Sequence, residues 1–130
     1  MASELKVNTL TGVSTAGSIA VTGEGNSTTT NLQQGLAKSW CNYVTAATFV
    51  NNDSFNVGSL TDAGAGSCKM NFTNVFNDDD YSTTGLQSVG YGQLGLNAQE
   101  TTYTWCISYN TSNAAADSGE TTMRAHGDLA

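Results

Sequence analysis

A chain of 130 residues is enough for one compact domain with an additional arm. Threonine (19), glycine (14), asparagine (13) and serine (13) dominate it, charged residues make up 12% and proline is absent. That is strand-and-turn chemistry, and five Tyr, four Phe and two Trp supply the core that a disordered polar chain lacks. The net charge of −7 leaves four bases, Lys6, Lys38, Lys69 and Arg124, with no cluster among them. Nucleic acid and anionic membrane surfaces are therefore poor partners, and the acidity serves solubility.

The first residues lack an apolar run preceded by bases, and no apolar stretch approaches the ~20 residues of a membrane span. The expectation is a protein made in a cytosol, with no membrane insertion. Cys41, Cys68 and Cys106 are then expected as buried thiols within strands.

In chain order, ELKVNTL (4–10) alternates Leu5, Val7 and Thr9 against Glu4, Lys6 and Asn8, a strand pattern. SIAVTG (18–23) follows as a second short strand, with Ile19 and Val21 on one face, and EGNSTTTN is read as flexible. Two strands this poor in large side chains do not form a stable unit alone. NLQQGLAK (31–38) is a single helical turn, with Asn31 as its N-cap and Gly35 limiting its length. The boundary between arm and globular part is placed near Gly35, since aromatic residues begin only at Trp40. From there Leu36, Lys38, Trp40, Asn42 and Val44 share one side of a strand, and Ala37, Ser39, Cys41 and Tyr43 the other.

DSFNVGSLTDAGAGSCKMNFT (53–73) reads as a hairpin. Phe55 and Val57 point one way, Asp62–Gly66 reverses the chain, and Cys68, Met70 and Phe72 alternate with Lys69 and Asn71 on the return. Gly64 and Gly66 permit the positive φ that such turns demand. An acidic loop over 77–81 precedes strands near 81–88 and 90–98. TYTWCISYN (102–110) is the strongest strand signal, with Tyr103, Trp105, Ile107 and Tyr109 on one face and Thr104, Cys106 and Ser108 on the other. A polar loop (111–120) leads to a last strand carrying Met123 and Ala125. Six or seven strands without a long helix predict an all-β fold, an antiparallel β-sandwich or jelly-roll-like knob over 35–130.

Residues able to carry chemistry are few. Asp78, Asp79 and Asp80 form the one charge run, a possible ligand or ion loop, but they lack the Asp-x-Asp-x-Asp-Gly spacing of a calcium loop. His126 has no marked nucleophile beside it, and no phosphate-binding glycine motif occurs. No catalytic residue, metal or cofactor is expected, and the chain reads as a non-enzyme. Trp40, Tyr43, Phe55, Phe72, Tyr81, Tyr91, Tyr103, Trp105 and Tyr109 are read mainly as core. The surroundings of Tyr91 and Tyr109 are the places where an exposed ring could stack on a sugar.

The opening SELKVNTLTG, the junction QQGLAKSW, the central DSFNVGSLTDAGAGSCKMNFTN with its DDDYS continuation, and the terminal GDLA resemble virion appendage proteins of tailed bacteriophages. The likeness is to tail-fibre-like structural proteins of the marine and cyanobacterial phage type. It implies a virion location and a homotrimer whose residues 1–34 anchor and oligomerise the protein while the knob is displayed. Leu5, Val7, Leu10, Ile19 and Val21 would then be the oligomer and anchor contacts. Partners implied are copies of itself, other capsid or tail proteins, and a host surface glycan or protein. A capsid decoration protein and a carbohydrate-binding module are the alternatives.

Overall fold

The computed structural model describes residues 4–12, 19–23, 29–88 and 92–127. The chain divides into two compact units, residues 1–35 and 36–130.

In the first unit, β1 (Ala20–Thr22) and β2 (Thr29–Asn31) pair antiparallel, and α1 (Leu32–Gly35) follows as a single helical turn. The Leu32 N–H donates to the Ile19 carbonyl at 2.8 Å. Two expectations fail here. Residues 4–10 form no strand, and among the described residues no segment offers them a ladder. Part of the stretch read as flexible does pair: Thr29 and Thr30, both β-branched, complete β2.

The second unit is an antiparallel β-sandwich. Its strands are β3 (Ser39–Val44), β4 (Val50–Phe55), β5 (Val57–Asp62), β6 (Ser67–Phe72), β7 (Ser82–Gln87), β8 (Gln93–Glu100), β9 (Tyr103–Tyr109) and β10 (Thr121–His126). One sheet has the order β4-β3-β10-β7 and the other β5-β6-β9-β8. The two sheets are linked at both sides by consecutive edge strands: β4 runs into β5 through Asn56, and β7 contacts β8. At the second corner the Gln87 side chain reaches across, donating to the carbonyls of Gln93 (2.8 Å) and Tyr109 (2.7 Å).

Among the described residues of this unit eight strands form where six or seven were expected, because residues 50–62 are two strands in different sheets. Asn56 separates them with a φ of 55°, a left-handed conformation that asparagine tolerates better than most residues. Its side chain is fixed by Asn74, whose N–H donates to Asn56 Oδ1 at 2.7 Å, while Asn56 Nδ2 donates to the Asn74 carbonyl at 3.0 Å. Phe55 and Val57 therefore do not share a face: Phe55 is 54% exposed on one sheet and Val57 packs on the core from the other.

The turn reading of Gly64 and Gly66 holds, with φ of 115° and 64°. Gly66 is also hemmed in, since a Cβ there would lie 2.6 Å from the Ser108 carbonyl. Its N–H donates to Asp117 Oδ1 (2.6 Å), so the hairpin tip is bound to the 110–120 loop.

The core is Cys41, Tyr43, Cys68, Met70, Phe72, Phe76, Tyr81, Cys106, Met123 and Ala125. Phe76 stacks on Tyr81 at 4.2 Å and meets Phe72 at 4.8 Å between centroids. The Tyr81 hydroxyl donates to the carbonyls of Tyr103 (2.7 Å) and Glu100 (3.1 Å), closing the end of the β8–β9 hairpin. β9 turns its small side chains inward: Thr104, Cys106 and Ser108 are buried, while Tyr103, Trp105, Ile107 and Tyr109 lie partly buried on the outer face. Large inward residues on β3, β6 and the 73–81 loop already fill the ~10 Å between sheets, so β9 has room there only for small ones.

Candidate binding face

The two outer faces of the sandwich carry similar residues arranged in opposite ways. On the β5-β6-β9-β8 sheet, Lys69 lies directly across from Trp105. Its ammonium sits 4.4 Å from the Trp105 ring centroid and 4.8 Å from that of Tyr103, a cation held over two aromatic faces. The Trp105 indole N–H donates to Ser67 Oγ at 2.7 Å. Asn71 Nδ2 donates to Thr61 Oγ1 (2.9 Å) and to Ser59. The Tyr109 ring covers Gly95, where a Cβ would approach within 2.9 Å of it. This face satisfies itself.

The face of the β4-β3-β10-β7 sheet is open. Alternation on β3 and β10 sends Cys41, Tyr43, Met123 and Ala125 inward and Trp40, Asn42, Thr122 and Arg124 outward. The register then builds two rows across all four strands. One is Phe55, Trp40, Arg124, Thr84; the next is Asp53, Asn42, Thr122, Leu86. At strand spacing, each row spans about 14 Å. Trp40 is 37%, Phe55 54% and Leu86 74% exposed. A depression of about 310 Å³ is lined by Trp40, Arg124, Ala37, Asn42 and Thr122. It adjoins two others, of about 240 Å³ beside Thr84 and about 220 Å³ beside Leu86 and Glu120.

The charges on this face are not mixed. Arg124 lies in the first row, and Lys38, just before β3, donates its N–H to the Ala125 carbonyl (2.8 Å). Asp53 and Glu120 lie toward the other row, where Asn42 Nδ2 donates to Glu120 Oε1 (2.7 Å) and Asn42 Oδ1 accepts from Asn52 (2.9 Å). Among the described residues no carboxylate pairs with Arg124 or Lys38; the ion pair present is Lys6 with Glu4, in the first unit.

The residues singled out from sequence are placed as follows. Leu5, Val7, Leu10 and Val21 are more than half exposed within the first unit, and Ile19 is partly buried. Asp78, Asp79 and Asp80 sit on an exposed loop where Asp78 Oδ1 accepts the Asp80 N–H (3.1 Å), an Asx turn. Among the described residues, no three His, Cys, Asp or Glu side chains are grouped to hold a metal. His126 is partly buried, and Asp128 and Tyr91 lie outside the described residues. The three cysteines are free, buried and in strands. Burial pushes the thiols of Cys41 and Cys106 from 9.0 up to about 12, and Cys68 higher still. Burial, together with the three thiols, also raises the Tyr43 phenol far above its ordinary value. These groups stay protonated near neutrality, which makes them poor nucleophiles.

Of the rings that sequence reasoning favoured for sugar stacking, Tyr109 covers Gly95 and Tyr91 lies outside the described residues, whereas among the described aromatics Trp40 and Phe55 are the exposed ones. A usable signal existed for Trp40, whose alternation partners Lys38 and Asn42 are polar. No family model, curated protein or solved structure matches this chain.

Proposed function

We propose that this chain is a non-enzymatic structural protein of a tailed-phage virion, a short tail-fibre-like appendage that forms a homotrimer through residues 1–34 and displays the sandwich. The observation that supports this reading is the first unit. Leu5 is 79% exposed, and Leu10, Val7 and Val21 exceed half, in a unit whose described strands are three residues each. A segment so thinly packed gains stability when a second and third copy cover those side chains.

The mass of the full chain in solution tests the assembly. Three copies per particle are expected, and Leu5→Ser with Val7→Ser should release monomers that keep the sandwich's circular dichroism. A chain that stays monomeric at high concentration would remove the trimer. Immunogold microscopy of intact virions tests the location: label at the tail supports an appendage, label over the head a decoration protein, and unlabelled virions reject the virion role.

A second reading, a carbohydrate-binding module, is favoured by one observation. Trp40 and Phe55 stand side by side and exposed on the open face, and aromatic faces give sugars apolar contact.

A further inference from the structure

We infer that the open face of the β4-β3-β10-β7 sheet binds an acidic oligosaccharide, with a sugar carboxylate on Arg124 and a sugar ring against Trp40. The inference deepens the carbohydrate-binding reading and does not depend on where the protein is seated or how many copies assemble.

Four features point to this ligand. The first is charge. The chain carries eleven acids, yet among the described residues none pairs with Arg124, which stands exposed in the middle of a sheet. Lys69, by contrast, is stacked between two rings on the opposite face. A guanidinium left with its fork free is suited to a planar carboxylate, which it holds through two parallel N–H···O bonds.

The second is the ring beside it. Trp40 is the register partner of Arg124 on one side and of Phe55 on the other, so an apolar platform adjoins the cation at strand spacing. A pyranose offers apolar C–H groups on its face and hydroxyls on its edge, which fits an aromatic surface bordered by polar side chains.

The third is shape. The three depressions share lining residues: Arg124 borders the first and the one beside Thr84, and Thr122 borders the first and the one beside Glu120. Sharing those residues, they lie side by side across the strands, an arrangement that suits a chain of sugars better than a single ring.

The fourth is the polarity of the face. Arg124 attracts the carboxylate, and Asp53 in the next row with Glu120 beside Asn42 repel it while accepting hydrogen bonds from sugar hydroxyls. The ligand's orientation is therefore set by the protein's own charges.

The test uses the full chain and matched probes. Polygalacturonate, alginate and a sialylated oligosaccharide are compared by affinity electrophoresis or calorimetry, with fully methyl-esterified polygalacturonate as the same backbone without charge. Binding to at least one acidic probe is expected, falling about tenfold or more on esterification or in Arg124→Gln, as loss of a bidentate charged contact implies. Trp40→Ala should weaken it similarly, and Lys69→Gln, on the other face, should leave it unchanged. Thermal melting of each variant confirms that the fold survives. Retention of none of the acidic probes overturns the proposal. So does binding that is indifferent to Arg124→Gln, or binding to dextran sulfate that equals the best carboxylated probe and is indifferent to Trp40→Ala.

Discussion

Each outer face of the sandwich carries a tryptophan with a cation on the neighbouring strand, yet only one of the pairs is closed. Lys69 lies over Trp105 and Tyr103, and the Trp105 N–H is spent on Ser67. Trp40 and Arg124 are likewise register partners, but among the described residues neither ring nor guanidinium has a comparable contact. The same residue types thus serve two ends. Where they satisfy one another they add stability, and where they are left apart they remain available to a ligand.

The largest expected effect falls on what the two faces share, the buried thiols between the sheets. Below pH 9 these are protonated in the folded and unfolded chain alike. As pH rises from 9 toward 12 the unfolded chain releases protons that folded Cys41 and Cys106 hold until about 12, so stability falls with rising pH. Cooperative loss of β-sheet circular dichroism within that window is expected. A denaturation midpoint that stays flat to pH 12 would contradict the burial described.

The next effect separates the faces. Trp105→Ala removes a partly buried ring, an indole hydrogen bond and a cation–π contact, and should cost about 2–3 kcal/mol. Trp40→Ala should cost less than about 1 kcal/mol, since its ring is already exposed. Chemical denaturation of both variants measures the gap, and equal costs would erase the distinction. Smallest is the difference between the cations. Lys69→Gln should lower stability by about 1 kcal/mol, and Arg124→Gln should stay within about 0.5 kcal/mol of the parent.

Asn56 shows where local reading ends. Phe55 and Val57 are spaced two apart and look like neighbours on one face, but the left-handed residue between them turns the chain from one sheet to the other. Nothing in the SFNV alternation (54–57) announces this, because the conformation is fixed by Asn74, eighteen residues away. The hairpin at Gly64 and Gly66 was legible for the opposite reason, since its turn is set by residues adjacent in sequence. The candidate face was only partly legible. The side of β3 that bears Trp40 follows from alternation, whereas its alignment with Phe55 and Arg124 needs the register of three strands.

By itself the sequence determined an all-β chain, the turn at Gly64 and Gly66, and which residues travel together on strands such as β3 and β9, since these depend on side chains one or two positions apart. Tertiary structure decided which side of each strand faces in. On β9 the aromatic side is the more apolar one, yet Tyr43, Met70, Phe72, Phe76 and Tyr81 already occupy the space between sheets. Close packing admits only the threonine, cysteine and serine of β9 there, and its aromatics must cover the surface instead.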